Sequence, residues 1–572
     1  MALTSNGGLG DWAQSAAAQK HRGSGSLVTR VDSSLFNLTC PAGGMVRKFW
    51  PDVILRTVAH MASIMIRKPL NLILEEAGEE GECTLKRALG VVNLVTLGIG
   101  AIIGAGIFVL TGSAAAQYAG PAIILSFLLA GLGCVFAGLC YAEFASLIPI
   151  AGSAYTYGYA TLGELFAWII GWDLILEYGF GAATVASGWS ANVILLLQYL
   201  HVPLPPEIMG TPGTILVRYD GIWMPANSVP AGAAVAALPH ATASFNIVAF
   251  LAICLVTTIL VIGIRESANF NTIIVFVKVG TVLVFIAMAA SYVLAHPQVA
   301  SANWHPFIPP NTGDFGRFGL SGIGRGAAVI FFANIGFDAV STAAQEAKDP
   351  QKDMPIGILG SLVVCTLLYV ATAWLLTGVV SYKLLNVAAP VARGMQATGI
   401  LWGEYLVLIG TILGLSTVML VMLLGQSRVF FSMSRDGLLP DWAGRVHPRF
   451  RTPYISSITV GLFVAIFASL IPIGILGELV SIGTLLAFVI VCAGVWVLRR
   501  RRPDLKRPFK TPLVPIVPIL GIIVALYLMV SLPVDTWLRL VVWLVIGLVI
   551  YFAYGRKHSR VAELAQRPKQ RV

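Results

Sequence analysis

Apolar residues along this chain form long unbroken runs that short polar segments separate. A helical run of about 20 apolar residues spans a hydrocarbon core of roughly 30 Å. Runs of this kind recur from residue 91 onward, at 91–116, 121–147, 164–200, 244–264, 269–294, 322–344, 355–380, 396–433, 453–473, 475–498, 513–532 and 536–554. The pattern predicts an all-α integral membrane protein with twelve transmembrane helices.

Composition and charge support this class and give an orientation. The chain is 57% hydrophobic and only 11% charged. Its Lys and Arg residues concentrate in alternate loops on the side of the N-terminus, as the positive-inside rule requires of cytoplasmic loops. We therefore expect a multi-pass protein of the cytoplasmic membrane with both termini in the cytoplasm. The basic stretch RRRRPDLKRPFK at 499–510 is interpreted as a topology anchor that contacts anionic lipid, and not as a nucleic-acid site.

The polar parts of the chain divide it into regions. Residues 1–64, rich in Gly, Ser, Ala and Thr, are predicted to be a disordered cytoplasmic extension. Residues 65–555 form the predicted membrane domain, and 556–572 a basic cytoplasmic tail. The stretch 201–242, rich in Pro, Gly and Ala, is predicted to be irregular and to lie outside the membrane.

Metal and redox chemistry find little support in the sequence. The seven cysteines are dispersed, all eight histidines lie outside the predicted spans, and neither HExxH nor CxxC occurs. We expect no metal, no cofactor and no enzymatic activity.

The first predicted span contains four glycines in GIGAIIGAGIF, residues 98–108. Gly100 and Gly104 have the spacing of a helix-packing face. Alternatively, the helix is broken at the bilayer midplane, where free N–H groups bind an anionic group. A broken helix predicts a matching break in an inverted repeat. The sixth span carries Gly336 with Asn334 and Asp338 nearby, which favours the second alternative.

Two ionisable residues lie deep within predicted spans. Lys278 is too far into its span to reach water from a lipid-facing position, so it either donates to helix-end carbonyls or has a functional role. Glu177 is predicted to contact a bound ligand, in the substrate pocket if the protein has one, or to relay protons, and Asp173, one turn away, is expected to be structural.

Four separated motifs carry a family resemblance: LGIGAIIGAGIFVLTG (97–112), YAEFASLIPIAGSAYTY (141–157), FFANIGFDAVSTAAQEAKDPQKDMPIGI (331–358) and GQSRVFFSMSRDGLLP (425–440). The chain resembles the amino acid-polyamine-organocation superfamily and, within it, bacterial members of the cationic amino acid transporter family. The resemblance implies a leucine-transporter-like fold. It has two inverted five-helix repeats at about 91–295 and 322–498, broken helices 1 and 6, and two extra helices within 513–554.

The resemblance also implies a substrate site at the two breaks. The break in helix 1 would run from Ile102 through Ile103 to Gly106. The substrate carboxylate would be bound by the amides of Gly104, Ala105 and Gly106. Carbonyls for the substrate ammonium are expected from Ile102, Phe332, Ala333 and Ile335. Phe332 matches the aromatic gate of the family. Ala105 stands where many relatives carry Ser or Thr.

Lys278 matches the position at which the family implies a cation beside helix 1, so proton coupling is expected in place of sodium coupling.

Gate residues are predicted on both sides of the site. Asp338 is predicted to cap the helix that resumes after the second break. Glu143 and Glu346 are predicted to form an inner ion network with Lys348 and Arg435.

The expected function is secondary active import of amino acids by alternating access, with the amino acid, a proton and membrane lipids as partners and no nucleic acid. Leu415 and Met419 make the predicted side-chain end of the pocket apolar. The expected substrates are therefore small neutral amino acids, cationic ones, or both. An amino acid exchanger, sensor or channel of the same fold is the alternative.

Overall fold

The computed structural model describes residues 66–69, 89–148, 152–219, 221–226, 229, 235–263, 268–344, 347–387, 389–450 and 452–566. The side chains of 268–271 and 564–566 are outside this description. The predicted extension 1–64, Glu346 and the tail beyond residue 566 also lie outside the described residues.

The described residues are mostly helical. Their α-helices are α1 (Val91–Ile102), α2 (Thr111–Ala114), α3 (Ile123–Leu147), α4 (Ser153–Thr161), α5 (Glu164–Leu174), α6 (Gly181–Tyr199), α7 (Ile247–Ile262), α8 (Ala268–Ala295), α9 (Pro297–Asn303), α10 (Gly319–Ile330), α11 (Ala339–Thr342), α12 (Pro350–Val379), α13 (Pro390–Ala397), α14 (Leu401–Arg435), α15 (Tyr454–Leu470), α16 (Ile473–Arg501), α17 (Ile516–Ser531), α18 (Val534–Ile550), α19 (Arg556–His558) and α20 (Arg560–Gln566). Wider π-helical turns occur at Gly106–Leu110, Ala115–Ala119, Ile175–Phe180 and Tyr551–Gly555. Tighter 3₁₀ turns occur at Gly120–Ala122, Pro206–Ile208, Val235–Ala237, Phe331–Asn334, Tyr382–Leu384 and Asp441–Gly444.

Eight helical segments in the described part of the chain are long and apolar enough to cross a membrane. The first, Val91–Leu147, covers two of the predicted spans and turns at Gly120, whose φ of +61° suits glycine. Three shorter apolar helices, α7, α15 and α17, occupy predicted spans of their own. Each of the twelve predicted spans therefore contains an apolar helix.

A small sheet corrects the all-α prediction. Strands β1 (Ile215–Tyr219), β2 (Ile222–Pro225) and β3 (His240–Thr242) form an antiparallel sheet in the order β2-β1-β3. This sheet lies in the stretch that we predicted to be irregular. Five of the nine residues in ILVRY and IWMP are β-branched or aromatic, and such residues favour extended backbone.

The helices pack around the first and sixth predicted spans. Helix α12 packs along both α1 and α3, α8 contacts α1 and α14, and α14 runs beside α6. Both spans are interrupted part-way along their length. Backbone at Ile103 is extended after α1, and backbone at Ile335 is extended after the 3₁₀ turn that follows α10. Gly336 then adopts a φ of +114°.

The two interruptions touch each other through glycine. A Cβ on Gly106 would overlap the backbone and Cβ of Ala333, and one on Gly336 would lie 2.9 Å from the Ala101 carbonyl carbon. Atoms do not approach this closely without displacement, so both positions require the missing side chain. The glycines thus allow backbone from the two broken spans to meet directly.

This contact gives a stability prediction. Gly106→Ala should force the two interruptions apart and destabilise the fold by about 1–3 kcal/mol, the usual cost of overpacking. Thermal melting of the detergent-solubilised protein measures the loss. Gly280→Ala is the matched control, because a Cβ there meets nothing within 4 Å. Equal melting temperatures for the two variants would contradict the direct backbone contact.

Candidate functional site

The interruption after α1 leaves carbonyl groups that need donors. Lys278 Nζ donates to Gly100 O at 2.7 Å and to Ile103 O at 3.0 Å. The Tyr369 hydroxyl donates to Ile102 O at 2.7 Å. Carbonyls at a helix C-terminus have no partner within the helix, and leaving them unsatisfied in an apolar interior is costly. Two side chains from other helices, α8 and α12, therefore hold the end of α1.

Backbone N–H groups occupy the other side of the same interruption. Gly104, Ala105 and Gly106 precede or begin the helical segment that resumes after Ile103. The first N–H groups of a helical segment lack intrahelical acceptors and form a site for a negative charge. Gly104 also faces α14, where a Cβ would lie 3.3 Å from Val418 Cγ2. The predicted carboxylate-binding amides are thus next to a wall of α14.

Lys278 is completely buried and lies close to the neighbouring helices. Its side chain passes Gly414 of α14. Among the described residues, no carboxylate pairs with it. The first of the two roles considered for Lys278, donation to helix-end carbonyls, is therefore present in the structure.

The second interruption places Phe332, Ala333 and Ile335 in the core, each at most 5% exposed. Phe332 O already accepts from the Ile335 N–H at 3.2 Å. Asn334, between them, is fully buried, and neither atom of its amide group has a hydrogen-bond partner in the described structure. A polar residue in the middle of an apolar span is a visible sequence signal, but we predicted no role for Asn334 itself.

Glu177 lies in the π-helical turn Ile175–Phe180, a local widening that is frequent at functional sites. It is buried, and neither carboxyl oxygen has a hydrogen-bond partner among the described residues. Its neighbouring acidic groups are Asp338 and Asp173. The structure therefore brings Glu177 together with Asp338. Asp173, also buried and unpaired there, packs against Gly483.

Asp338 does not cap the resumed helix, contrary to our prediction. It directly precedes α11, but its side chain makes no capping hydrogen bond. Instead, Asp338 Oδ2 accepts from the Tyr178 hydroxyl at 2.5 Å and from Ser153 Oγ at 3.5 Å. Tyr178 lies next to Glu177 in the chain, so the π-helical turn supplies both a carboxyl group and a donor to the same site.

The predicted inner ion network has different members. Glu143 pairs with Arg499 at 2.7 Å and with Arg507 at 3.1 Å, and it also accepts from the Thr511 N–H at 2.8 Å. The network with Lys348 and Arg435 is therefore wrong for Glu143, because helix α16 and the loop after it reach this carboxylate first. Both arginines belong to the stretch that we interpreted as a topology anchor.

A second buried ion pair lies on the same side. Lys68, ahead of α1, is 2.7 Å from Asp436, the residue that follows α14, and the Tyr155 hydroxyl donates to the other Asp436 oxygen at 2.7 Å. Both charged side chains are less than 10% exposed. The sequence did not predict this pair, because an ion pair between residues 368 positions apart has no local sequence signal.

The wall beside the first interruption is apolar. Leu415, Val418 and Met419 of α14 are all buried. Met422 lies further along and approaches Gly181 of α6. Leu415 and Met419, at which we expect the side-chain end of the pocket, are thus buried in the core, and their role in a pocket stays a prediction.

Comparison with known proteins shows the family to which the chain belongs. The model of the family described as "Amino acid permease" matches residues 89–553, which include both interruptions, Lys278 and Glu177. The chain belongs to the amino acid permease family. The two broken spans in contact are therefore part of a transporter and not of an enzyme, and the permease is a multi-pass membrane protein of the amino acid-polyamine-organocation superfamily.

Several relatives are similar over most of their length. The permease is 46% identical over 486 residues to the branched-chain amino acid permease BcaP of Bacillus subtilis, covering 85% of this chain and 96% of the relative. It is 42% identical over 499 residues to the methylthioribose transporter of Bacillus subtilis, with 87% and 99% covered. It is 36% identical over 444 residues to the vacuolar cationic amino acid transporter 4 of Arabidopsis thaliana, with 78% and 68% covered.

The ion pair between Lys68 and Asp436 can be tested by a double-mutant cycle. Asp436→Asn leaves a buried ammonium without its counter-charge, and removing one partner of a buried pair costs about 3–5 kcal/mol. Lys68→Met should have a similar cost, and the double variant should lose less stability than the sum of the two.

Thermal melting of the four proteins in detergent gives the coupling. Asp504→Asn is the control, since the Asp504–Arg502 pair is more than half exposed on both sides and should contribute little. Additive losses at Lys68 and Asp436 would show that the two residues do not act as a pair.

Proposed function

We propose that the permease imports neutral aliphatic amino acids, branched-chain ones foremost, across the cytoplasmic membrane, and that protons drive this transport. It has twelve transmembrane helices in a 5+5 inverted repeat, with both termini in the cytoplasm. The observation that carries the proposal is the buried Lys278 ammonium bound to the carbonyls of Gly100 and Ile103 at the end of α1.

The two interruptions suit the backbone of an amino acid. The carboxylate binds to the N–H groups of Gly104, Ala105 and Gly106, where the resumed helix presents unpaired donors. The ammonium group binds to carbonyls of the second interruption, which is in direct backbone contact with the first at Ala333. Main-chain groups recognise what all amino acids share, so selection among them depends on the side-chain end of the pocket.

Selectivity follows from the wall of α14. Leu415, Val418 and Met419 offer apolar surface to a substrate side chain and no acceptor for a guanidinium or ammonium. Leucine, isoleucine and valine therefore fit better than arginine or lysine. The relative that is named a branched-chain amino acid permease supports the same choice.

Coupling depends on how Lys278 holds the end of α1. The charged ammonium satisfies two carbonyls there, and no described carboxylate neutralises it. Proton release would leave a neutral amine that binds these carbonyls more weakly, because hydrogen bonds from charged donors are roughly twice as strong. Release of the α1 end then permits the inward-facing conformation, so that proton and substrate movements are linked.

This mechanism predicts the outcome of uptake into proteoliposomes that contain no sodium. Labelled leucine should accumulate when an inward proton gradient is imposed, and labelled arginine should accumulate much less. Lys278→Met should abolish accumulation, since it removes both the proton site and the two hydrogen bonds. Lys383→Met is the matched control, because this exposed lysine lies in a connecting segment and should leave uptake unchanged.

Binding and exchange without gradient-driven accumulation would contradict the symport mechanism and indicate an exchanger. Leucine binding without any flux would indicate a sensor. Preferential uptake of arginine would contradict the assignment of substrate.

The carboxyl pair Glu177 and Asp338 is proposed as a second proton-binding element. Two buried carboxyl groups with no cation beside them in the described structure can share a proton. Glu177→Gln keeps the shape but removes one acid. We expect leucine exchange to continue at a similar rate, while the number of protons entering per leucine, measured with a pH-sensitive dye, falls. An unchanged proton-to-leucine ratio would limit Glu177 to a structural role.

A methylthio sugar is a second candidate substrate, because a relative of 42% identity is named for methylthioribose. Such a molecule has neither carboxylate nor ammonium and would use only the apolar wall and hydroxyl contacts. Competition against labelled leucine distinguishes the two. Inhibition by isoleucine and not by methylthioribose supports the amino acid assignment, and the reverse order supports the sugar.

A further inference from the structure

A cavity of about 870 Å³ opens at the end of the first span that is remote from Lys68. It is bordered by the last turn of that span at Gln117 and Tyr118, by the connecting segment around Asp314 and Arg317, and by Arg325 of α10. We call it the outer cavity. Its lining contains polar and charged groups that the proposed transport mechanism does not use.

Arg325 is the best-fixed cation of this cavity. Its guanidinium lies 5.6 Å from the centre of the Tyr118 ring, and Nη1 donates to Ser531 O at 2.8 Å. Its Nε is buried and has no hydrogen-bond partner in the described part of the chain. That atom has no surface in the cavity, but the Arg325 side chain lines the cavity and brings its positive charge to it.

The acidic groups around the outer cavity have partners of their own. Asp314 lies 3.8 Å from Arg317, and both side chains are well exposed. Glu478 accepts from Thr536 at 2.7 Å and lies 3.5 Å from Arg539. No carboxylate of the described residues pairs with Arg325, so its positive charge remains available inside the cavity.

Arg325 also lies on the path to the broken helices. It precedes Phe332 by seven residues, which is two helical turns on the same face and about 10 Å along the axis. A ligand at Arg325 is therefore held beyond Phe332, on the side away from the cytoplasmic ion pairs.

We propose that the outer cavity is a waiting site for the amino acid, in which Arg325 binds the substrate carboxylate before the substrate passes Phe332. Asp314, whose pairing with Arg317 is loose, accepts the substrate ammonium. The site therefore selects zwitterions, and it raises the concentration of substrate next to the entrance. This inference rests on the proposed function, since it assumes that amino acids enter from this side.

The test compares uptake with efflux in oriented proteoliposomes. Arg325→Gln should raise the KM for leucine uptake on the order of tenfold, because a charged hydrogen bond to the carboxylate is lost. The KM for efflux, which begins at the other side, should stay within about twofold of the wild-type value. Arg218→Gln is the matched control, since this exposed arginine of β1 does not border the cavity and should leave both KM values unchanged.

A purely structural role gives a different result. If Arg325 serves only to hold Ser531, then Arg325→Gln changes uptake and efflux alike, and the proposal is overturned. An unchanged uptake KM overturns it as well. Arg325→Lys keeps the charge without the planar donor pair, so it should recover part of the uptake affinity and provides the same comparison if the Gln variant does not fold.

Inhibition by small anions tests the chemistry of the site. External N-acetyl-leucine, which has the carboxylate but no ammonium, should inhibit leucine uptake weakly in the wild type and not in Arg325→Gln. Equal inhibition by inorganic phosphate would show an unselective anion site and contradict the waiting site. Failure of the proposed function has a separate signature, because wild-type protein would then show no leucine flux in either direction.

Discussion

The structure depends on satisfying the carbonyl groups where α1 stops. A helix broken inside an apolar environment exposes peptide groups that water cannot reach, and each unsatisfied one costs several kcal/mol. Lys278 and Tyr369 supply donors to Gly100, Ile102 and Ile103 from two separate helices. The break is stable because these side chains are in place. A change in the charge of Lys278 therefore acts directly on the backbone of the first interruption.

Two glycines connect the end of α1 to the second broken span. Gly106 against Ala333 and Gly336 against Ala101 bring the two backbones into contact, so a shift of one span is transmitted to the other. At the side of the molecule where α1 begins, Glu143 with its two arginines and Lys68 with Asp436 connect α3, α14, α16 and the segment before α1. Such buried ion pairs are costly to break singly, which suits contacts that form and separate as a unit.

The sequence predicted the class and the region of the breaks well, because apolar periodicity and clustered glycines are local signals. Each predicted span contains an apolar helix, while the count of twelve membrane crossings stays a prediction. The deep position of Lys278 was also readable, since a lysine in the middle of an apolar run has few structural explanations. The partners of Glu143 and Lys68 were not predicted, because they are contributed by residues hundreds of positions away. Asp338 was assigned a capping role from its position before α11, but Tyr178 on a different helix competes successfully for its carboxylate. The sheet at 215–242 was missed because its three strands are only three to five residues long.

Coupling of proton movement to the transport of a neutral amino acid has an electrical consequence. Leucine carries no net charge at neutral pH, so each cotransported proton moves one positive charge across the membrane. Currents recorded from proteoliposomes on a solid-supported membrane, in sodium-free buffer, measure this directly. Proton-coupled transport predicts an inward positive current on addition of leucine. A sufficiently large opposing pH gradient should reverse this current. Leucine transport without any current, or a current that requires sodium, would contradict proton coupling.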